Sequence, residues 1–153
     1  MKCICLVGRY NTGKTKTINV VYQLLREGAK SICFENEGRK KDDSVAVLEL
    51  KGIRVGFVSA GDSVEPDKYS KGMRNNFARI KKLDCQILIC ACRTSGETIE
   101  WVLTELKPDL VLLRKSYLED SCKPSWFDFS SCYEDINVKS AEYIANMIRG
   151  KCG

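Results

Sequence analysis

The segment Cys3-Ile4-Cys5-Leu6-Val7-Gly8-Arg9-Tyr10-Asn11-Thr12-Gly13-Lys14-Thr15-Lys16-Thr17 places a short apolar run, a glycine-bounded turn and the start of a helical pattern in direct succession. Four residues separate Gly8 from Gly13-Lys14-Thr15, the spacing G-x-x-x-x-G-K-[ST]. Gly8 and Gly13 permit backbone conformations that turn consecutive amide N–H groups inward around an anion. The start of a helix adds its own positive end to that cradle. Ile18, Val21, Tyr22 and Leu25 follow at i, i+3, i+4 and i+7, the spacing of a buried helix face. With average residue usage the bare pattern arises in a chain of this length on the order of once in a few hundred sequences. The strand before it and the helix after it make a chance origin rarer still.

An anion in this cradle is a phosphate group, because Lys14 is placed to neutralise β- and γ-phosphates and the Thr15 hydroxyl to ligate Mg²⁺. On these residues the sequence resembles the P-loop NTPase superfamily, whose fold is a parallel sheet flanked by helices. The motif spans the first fifth of the chain and points to a superfamily, not to a reaction. The resemblance implies a nucleoside triphosphate with Mg²⁺, held by Gly8, Asn11, Thr12, Gly13, Lys14, Thr15 and Lys16.

Bulk composition narrows the chemistry. With 153 residues, the length prior gives one domain over 1–153. The apolar run after Lys2 is too short for a signal peptide, and nothing approaches the 18 or more apolar residues of a membrane span. The expected location is the cytoplasm, with no membrane partner. A net charge of +5 suits an anionic ligand and falls short of indicating nucleic acid. The chain has no histidine, so acid–base work falls to carboxylates, Lys, Arg, Ser/Thr, Tyr or Cys. Of the nine cysteines, none forms C-x-x-C. Cys3, Cys5, Cys33, Cys85 and Cys90 lie in apolar runs, where thiols pack as small hydrophobes. An odd count in a cytosolic setting argues for reduced thiols.

Along the chain, Gly28 reads as a helix C-cap and 30–34 as a second strand leading into Glu35-Asn-Glu37. Glu35 and Glu37 are candidates for a general base or substrate contact, or a solvated loop. Ser44–Leu50 and Ile53–Ser59, joined by Lys51-Gly52, read as an antiparallel hairpin. A hairpin here ending in Ala60-Gly61 resembles small GTPases, whose corresponding strand ends in D-x-x-G. The chain departs from that pattern: Val58 stands at the aspartate position, no N-K-x-D occurs, and no threonine lies between 18 and 93. Asp62 is then the nearest carboxylate, either holding Mg²⁺ through water or capping a loop. A helix with Met73, Phe77 and Ile80 on one face carries Lys71, Arg74 and Arg79; Arg74 is a phosphate-contact candidate on an otherwise solvated face.

The apolar strand 85–91 suits the centre of a parallel sheet. Arg93 follows it, as a contact to phosphate or substrate or as half of an ion pair. Thr94 and Glu97 form the pattern of a capping box, ahead of Ile99, Val102, Leu103 and Leu106. A last strand at 110–113 precedes a long segment holding Trp126, Phe127 and Phe129, which either packs on adenine or covers the core. A closing helix uses Ala141, Ile144, Ala145 and Ile148 and stops at Gly150.

The expected fold is α/β: a three-layer sandwich with a mostly parallel sheet, a P-loop, and one antiparallel hairpin strand at 44–50. The loop-bearing strand and the 53–59 strand are expected to be neighbours, which favours the kinase–GTPase half of the superfamily. The expected function is ATP binding with γ-phosphate transfer to a small-molecule or nucleotide acceptor. Lys14, Arg93 and Asp62 are the catalytic candidates, and Thr15 and Asp62 the metal candidates. ATP is favoured over GTP because the guanine motif is absent. A switch NTPase that signals to a protein partner, and a binding module with little turnover, are the alternatives; a homodimer stays open.

Overall fold

A computed structural model describes residues 1–10, 12–36, 43–66, 71–114 and 130–152. Among the described residues there are six strands: β1 (Lys2–Gly8), β2 (Lys30–Asn36), β3 (Ser44–Leu50), β4 (Ile53–Val58), β5 (Ile87–Cys92) and β6 (Leu110–Arg114). With them come helices α1 (Lys14–Arg26), α2 (Met73–Lys82), α3 (Glu97–Trp101) and α4 (Ser130–Cys152). They form an α/β fold with one mixed sheet in the order β2-β3-β4-β5-β1-β6.

Ladders β4–β5, β5–β1 and β1–β6 are parallel, whereas β2–β3 and β3–β4 are antiparallel. Five strands therefore run one way and β3 alone runs against them, the direction pattern that the hairpin implied. Lys51 and Gly52 both take positive φ (46° and 81°), the type I′ geometry that matches strand twist in a two-residue hairpin.

The expected neighbours are corrected. β5 lies between β1 and β4, with Cys5 opposite Cys90 and Phe57 opposite Ile89. Every residue of β5 is buried, and a strand apolar on both faces belongs inside a sheet. It inserts there although it comes later in the chain than the hairpin. The topological ground for favouring the kinase–GTPase half is thereby removed.

Alternation on the strands builds two cores. Ile4, Leu6, Leu48, Phe57 and Ile89 meet Ile18, Val21, Tyr22 and Leu25 of α1 and Ala141, Ile144, Ala145 and Ile148 of α4. Cys3, Cys5, Val47, Leu88, Cys90 and Cys92 meet Met73 and Ile80 of α2, with Ile99, Trp101 and Val102 of the α3 region. The helix faces read from spacing are thus largely as expected.

Three local details differ. Gly28 has no left-handed φ; α1 ends in a tightened turn, the Gly28 N–H donating to the Leu25 carbonyl at 3.4 Å. After Trp101 the backbone widens into a π-helical stretch, Val102–Leu106, and Leu103 is turned out to 52% exposure. A wider turn breaks the 3.6-residue phase on which its predicted burial rested. Finally, α4 runs through Gly150 to Cys152, whose burial holds the last turn against a glycine cost of about 1 kcal/mol.

Candidate functional site

Because five strands share a direction, Gly8, Asn36, Val58, Cys92 and Arg114 end on one edge of the sheet, where β3 begins at Ser44. The chemistry-bearing residues gather along this edge, as expected for open α/β sheets.

Gly13 takes φ 76° and ψ 13°, a left-handed conformation free of strain only for glycine, and caps α1 with its backbone alone. No side-chain hydrogen bond caps the helix and its first turn carries no acidic residue. A helix start with no side-chain cap and no acidic residue is a favourable place for an anion. Thr12 is buried and its hydroxyl donates to the Arg9 carbonyl at 2.9 Å, tightening the loop from inside. Lys14 Nζ donates to the carbonyls of Gly8 (2.9 Å) and Arg9 (2.7 Å), so the ammonium crosses the mouth of the loop. Lys16 is exposed on the first turn, and Asn11 lies outside the described residues.

Thr15 Oγ1 donates to Asp43 Oδ1 at 3.2 Å and contacts the Ser59 carbonyl at 3.4 Å. A clamp between the start of β3 and the end of β4 brings Asp43 there. Ser44 N–H donates to Ser59 Oγ at 2.8 Å, and Ser59 N–H to the Ser44 carbonyl at 3.0 Å. Ser44 Oγ in turn donates to Asn19 Oδ1 of α1 at 3.2 Å, tying the clamp to the loop-bearing helix.

The chain matches no protein-family model, no curated protein and no solved structure.

Sequence reasoning missed Asp43, which sits at the end of the charged run Arg39-Lys-Lys-Asp-Asp43 and reads as solvated loop. One signal was available: an antiparallel strand starts on the edge where its parallel neighbours end, so the residue before β3 had to face the loop.

Asp62 and Arg93, expected separately, are brought to each other: Arg93 Nε lies 3.3 Å from Asp62 Oδ1, both partly exposed. Gly61 makes this possible. A Cβ there would lie 2.1 Å from the Ala91 carbonyl oxygen, so only glycine lets the chain leaving β4 press against the end of β5. The capping box is not formed. Gly96 caps α3, while Glu97 Oε1 accepts from the Val64 N–H at 3.4 Å and pins the segment that carries Asp62.

Other candidates are engaged elsewhere. Arg74 pairs with Glu65 at 2.8 Å. Glu35 pairs with Arg79 and with Lys71, and the Arg79 hydrogen bond foremost holds its carboxyl below the usual range. Phe34 beside it packs on Tyr22 of α1, so Glu35 points to the opposite face of the sheet, away from Thr15. Glu37, Trp126, Phe127 and Phe129 lie outside the described residues.

Seven described cysteines are free thiols. Among the described residues no group of three or more Cys, Asp or Glu is arranged to hold a metal. Thr15 and Asp43 offer two hard oxygens. That is a fit to Mg²⁺, which takes one or two protein oxygens and fills its octahedron with water and phosphate. No helix among the described residues is long and apolar enough to cross a membrane.

Proposed function

We propose that this chain is a P-loop protein that binds ATP with Mg²⁺ and transfers the γ-phosphate to a small-molecule or nucleotide acceptor. In this reading its sheet is the middle of a three-layer α/β sandwich. The observation that carries the proposal is Lys14 spanning the loop carbonyls while the Thr15 hydroxyl faces Asp43. A cation and two hard oxygens thus flank one helix N-terminus.

Each residue has a distinct task. The amides of 13–16 hold the phosphates by hydrogen bonds that cost no reorganisation. Lys14 exchanges two neutral carbonyls for phosphate oxygens, which are stronger, charged acceptors. Thr15 and Asp43 would hold Mg²⁺, which would supply positive charge to offset that developing on the phosphates. Arg93 leaves Asp62 for the transferred group, where negative charge accumulates, and Asp62 is then the carboxylate nearest an acceptor hydroxyl.

Asp43 beside Thr15 disfavours a module without turnover, since such a module needs no carboxylate there. The anchored 61–66 segment, with no large hydrophobic exposed among the described residues of 62–82, gives a switch reading less support.

The test uses γ-labelled ATP and Mg²⁺ with a pool of nucleosides, nucleotides and small metabolites. Label is expected in an organic product. Label released only as inorganic phosphate would replace transfer by hydrolysis, and no ATP binding at all would remove the reading.

A further inference from the structure

Four cysteine sulfurs form a row on the face of the sheet that carries α2 and α3. Cys3, Cys5, Cys90 and Cys92 are each at most 1% exposed. Cys3 Sγ lies 3.9 Å from Cys90 Sγ, and Cys5 Sγ lies 3.5 Å from Cys92 Sγ. At the intervening positions the opposite face carries Ile4, Ile89 and Ala91, so the sulfur is confined to one side. The closer pair lies toward the candidate loop: Cys5 is three residues before Gly8, the end of β1, and Cys92 ends β5 and immediately precedes Arg93.

We propose that Cys5 and Cys92 are a redox pair that a hydroperoxide converts to a reversible disulfide, and that this bond repositions the loop and Arg93. Cys5 sulfur attacks one peroxide oxygen, the O–O bond breaks, and the departing oxygen leaves as water after taking up a proton. The resulting Cys5 sulfenic acid is attacked by Cys92 sulfur; the S–O bond breaks and a second water leaves. Two thiols and one hydrogen peroxide give one disulfide and two waters, the two sulfurs losing two electrons to the peroxide.

The surroundings assign the roles. Hydrogen bonds from Cys90 and then Cys92 pull the Cys5 thiol well below its ordinary value, and the Lys14 charge adds to this against burial. Cys92, engaged with Cys5 and buried, is pushed up. Cys5, on the strand that leads to the loop, is accordingly taken as the attacking thiolate, and Cys92, its sulfur 3.5 Å away, as the resolving thiol. Hydrogen peroxide, close to water in size, is the oxidant class suited to a pair inside a sheet. A disulfide bond of about 2.05 Å requires the sulfurs to close by about 1.5 Å. Misplacing a working group by about 1 Å costs on the order of 10²-fold in rate.

The effect on catalysis rests on the nucleotide reading above; the bond and the loop movement do not. The reduced chain is treated with one equivalent of hydrogen peroxide, its remaining thiols alkylated under denaturing conditions, and its peptides mapped by mass spectrometry. Amide exchange is followed at residues 8–13 and 93. A Cys5–Cys92 linked peptide is expected in wild type and in Cys33→Ser, but not in Cys92→Ser. Altered exchange at those residues should be reversed by dithiothreitol. Failure to link these two, linkage centred on other cysteines, or linkage with unchanged exchange would each overturn the proposal. A reduced chain that bound no ATP would sink the nucleotide reading while both of these readouts still decided the redox pair.

Discussion

Lys14 makes two hydrogen bonds to backbone carbonyls, and each is a weaker acceptor than a phosphate oxygen. Removing the ammonium deletes charged hydrogen bonds worth about 1.5–3 kcal/mol, so Lys14→Ala should weaken ATP binding roughly 10- to 150-fold. Because the side chain is not part of either core, the urea midpoint should stay within ordinary surface scatter. A fluorescent-nucleotide titration checks the first expectation, and undiminished affinity would remove the phosphate role. Asp43 and Asp62 are separable in the same assay. Asp43→Asn should abolish most of the Mg²⁺ dependence of binding, because Asp43 is the carboxylate at Thr15. Asp62→Asn should leave that dependence in place while lowering transfer, because its partner is Arg93. The reverse outcome would return the metal to Asp62.

At the scale of elements, two glycines test how β4 and its exit are packed. Gly61→Ala drives a Cβ to 2.1 Å from the Ala91 carbonyl oxygen, and neither backbone can rotate away. Gly56→Ala places a Cβ 2.6 Å from Ile80 Cγ2, which branches from the Cβ of a fully buried helical side chain, so α2 has to give way as a body. Overpacking costs about 1–3 kcal/mol, so Gly61→Ala, a clash of backbone with backbone, should reach or exceed the top of that range and Gly56→Ala fall below it but within the range. Urea midpoints give the comparison, and equal losses would mean that the segment after β4 yields more than its contacts imply. The same elements show what periodicity conveys. The buried face of α1 was legible because one side of a helix must be apolar; Leu103 was not, because a π-helical turn leaves no mark in hydrophobic spacing. The capping box failed for a similar reason: Thr94 and Glu97 have the right spacing, yet Glu97 finds a tertiary partner in Val64.

Across the whole molecule, the ion pairs joining β2 to Arg79 of α2 and to Lys71 just before that helix set one acid response. Arg79 and Lys71 lower the Glu35 carboxyl below its ordinary value near 4.5. A group depressed on folding contributes stability that is present above its unfolded value and lost as pH falls through the folded one. Wild type should therefore lose more stability than Glu35→Gln as pH drops below that ordinary value, measured by thermal melts at stepped pH. Parallel curves would mean that the exposed pair is screened to nothing. Strand directions were legible in the sequence, because a two-residue turn forces one reversal. The order of strands was not, since no local pattern announces that a later strand will insert between two earlier ones. That insertion also governs how the molecule comes off the ribosome. The meander β2-β3-β4 joins consecutive strands and closes as it is made, but the cradle-bearing β1 waits for β5, with Cys5 and Cys92 separated by 87 positions. At 5–20 residues per second this is a delay of about 4–17 s, during which an apolar strand has no partner. The loop-bearing strand is thus completed only after the meander that follows it in the chain, and a nascent chain arrested before β5 would carry the whole loop sequence on a strand without its β5 partner.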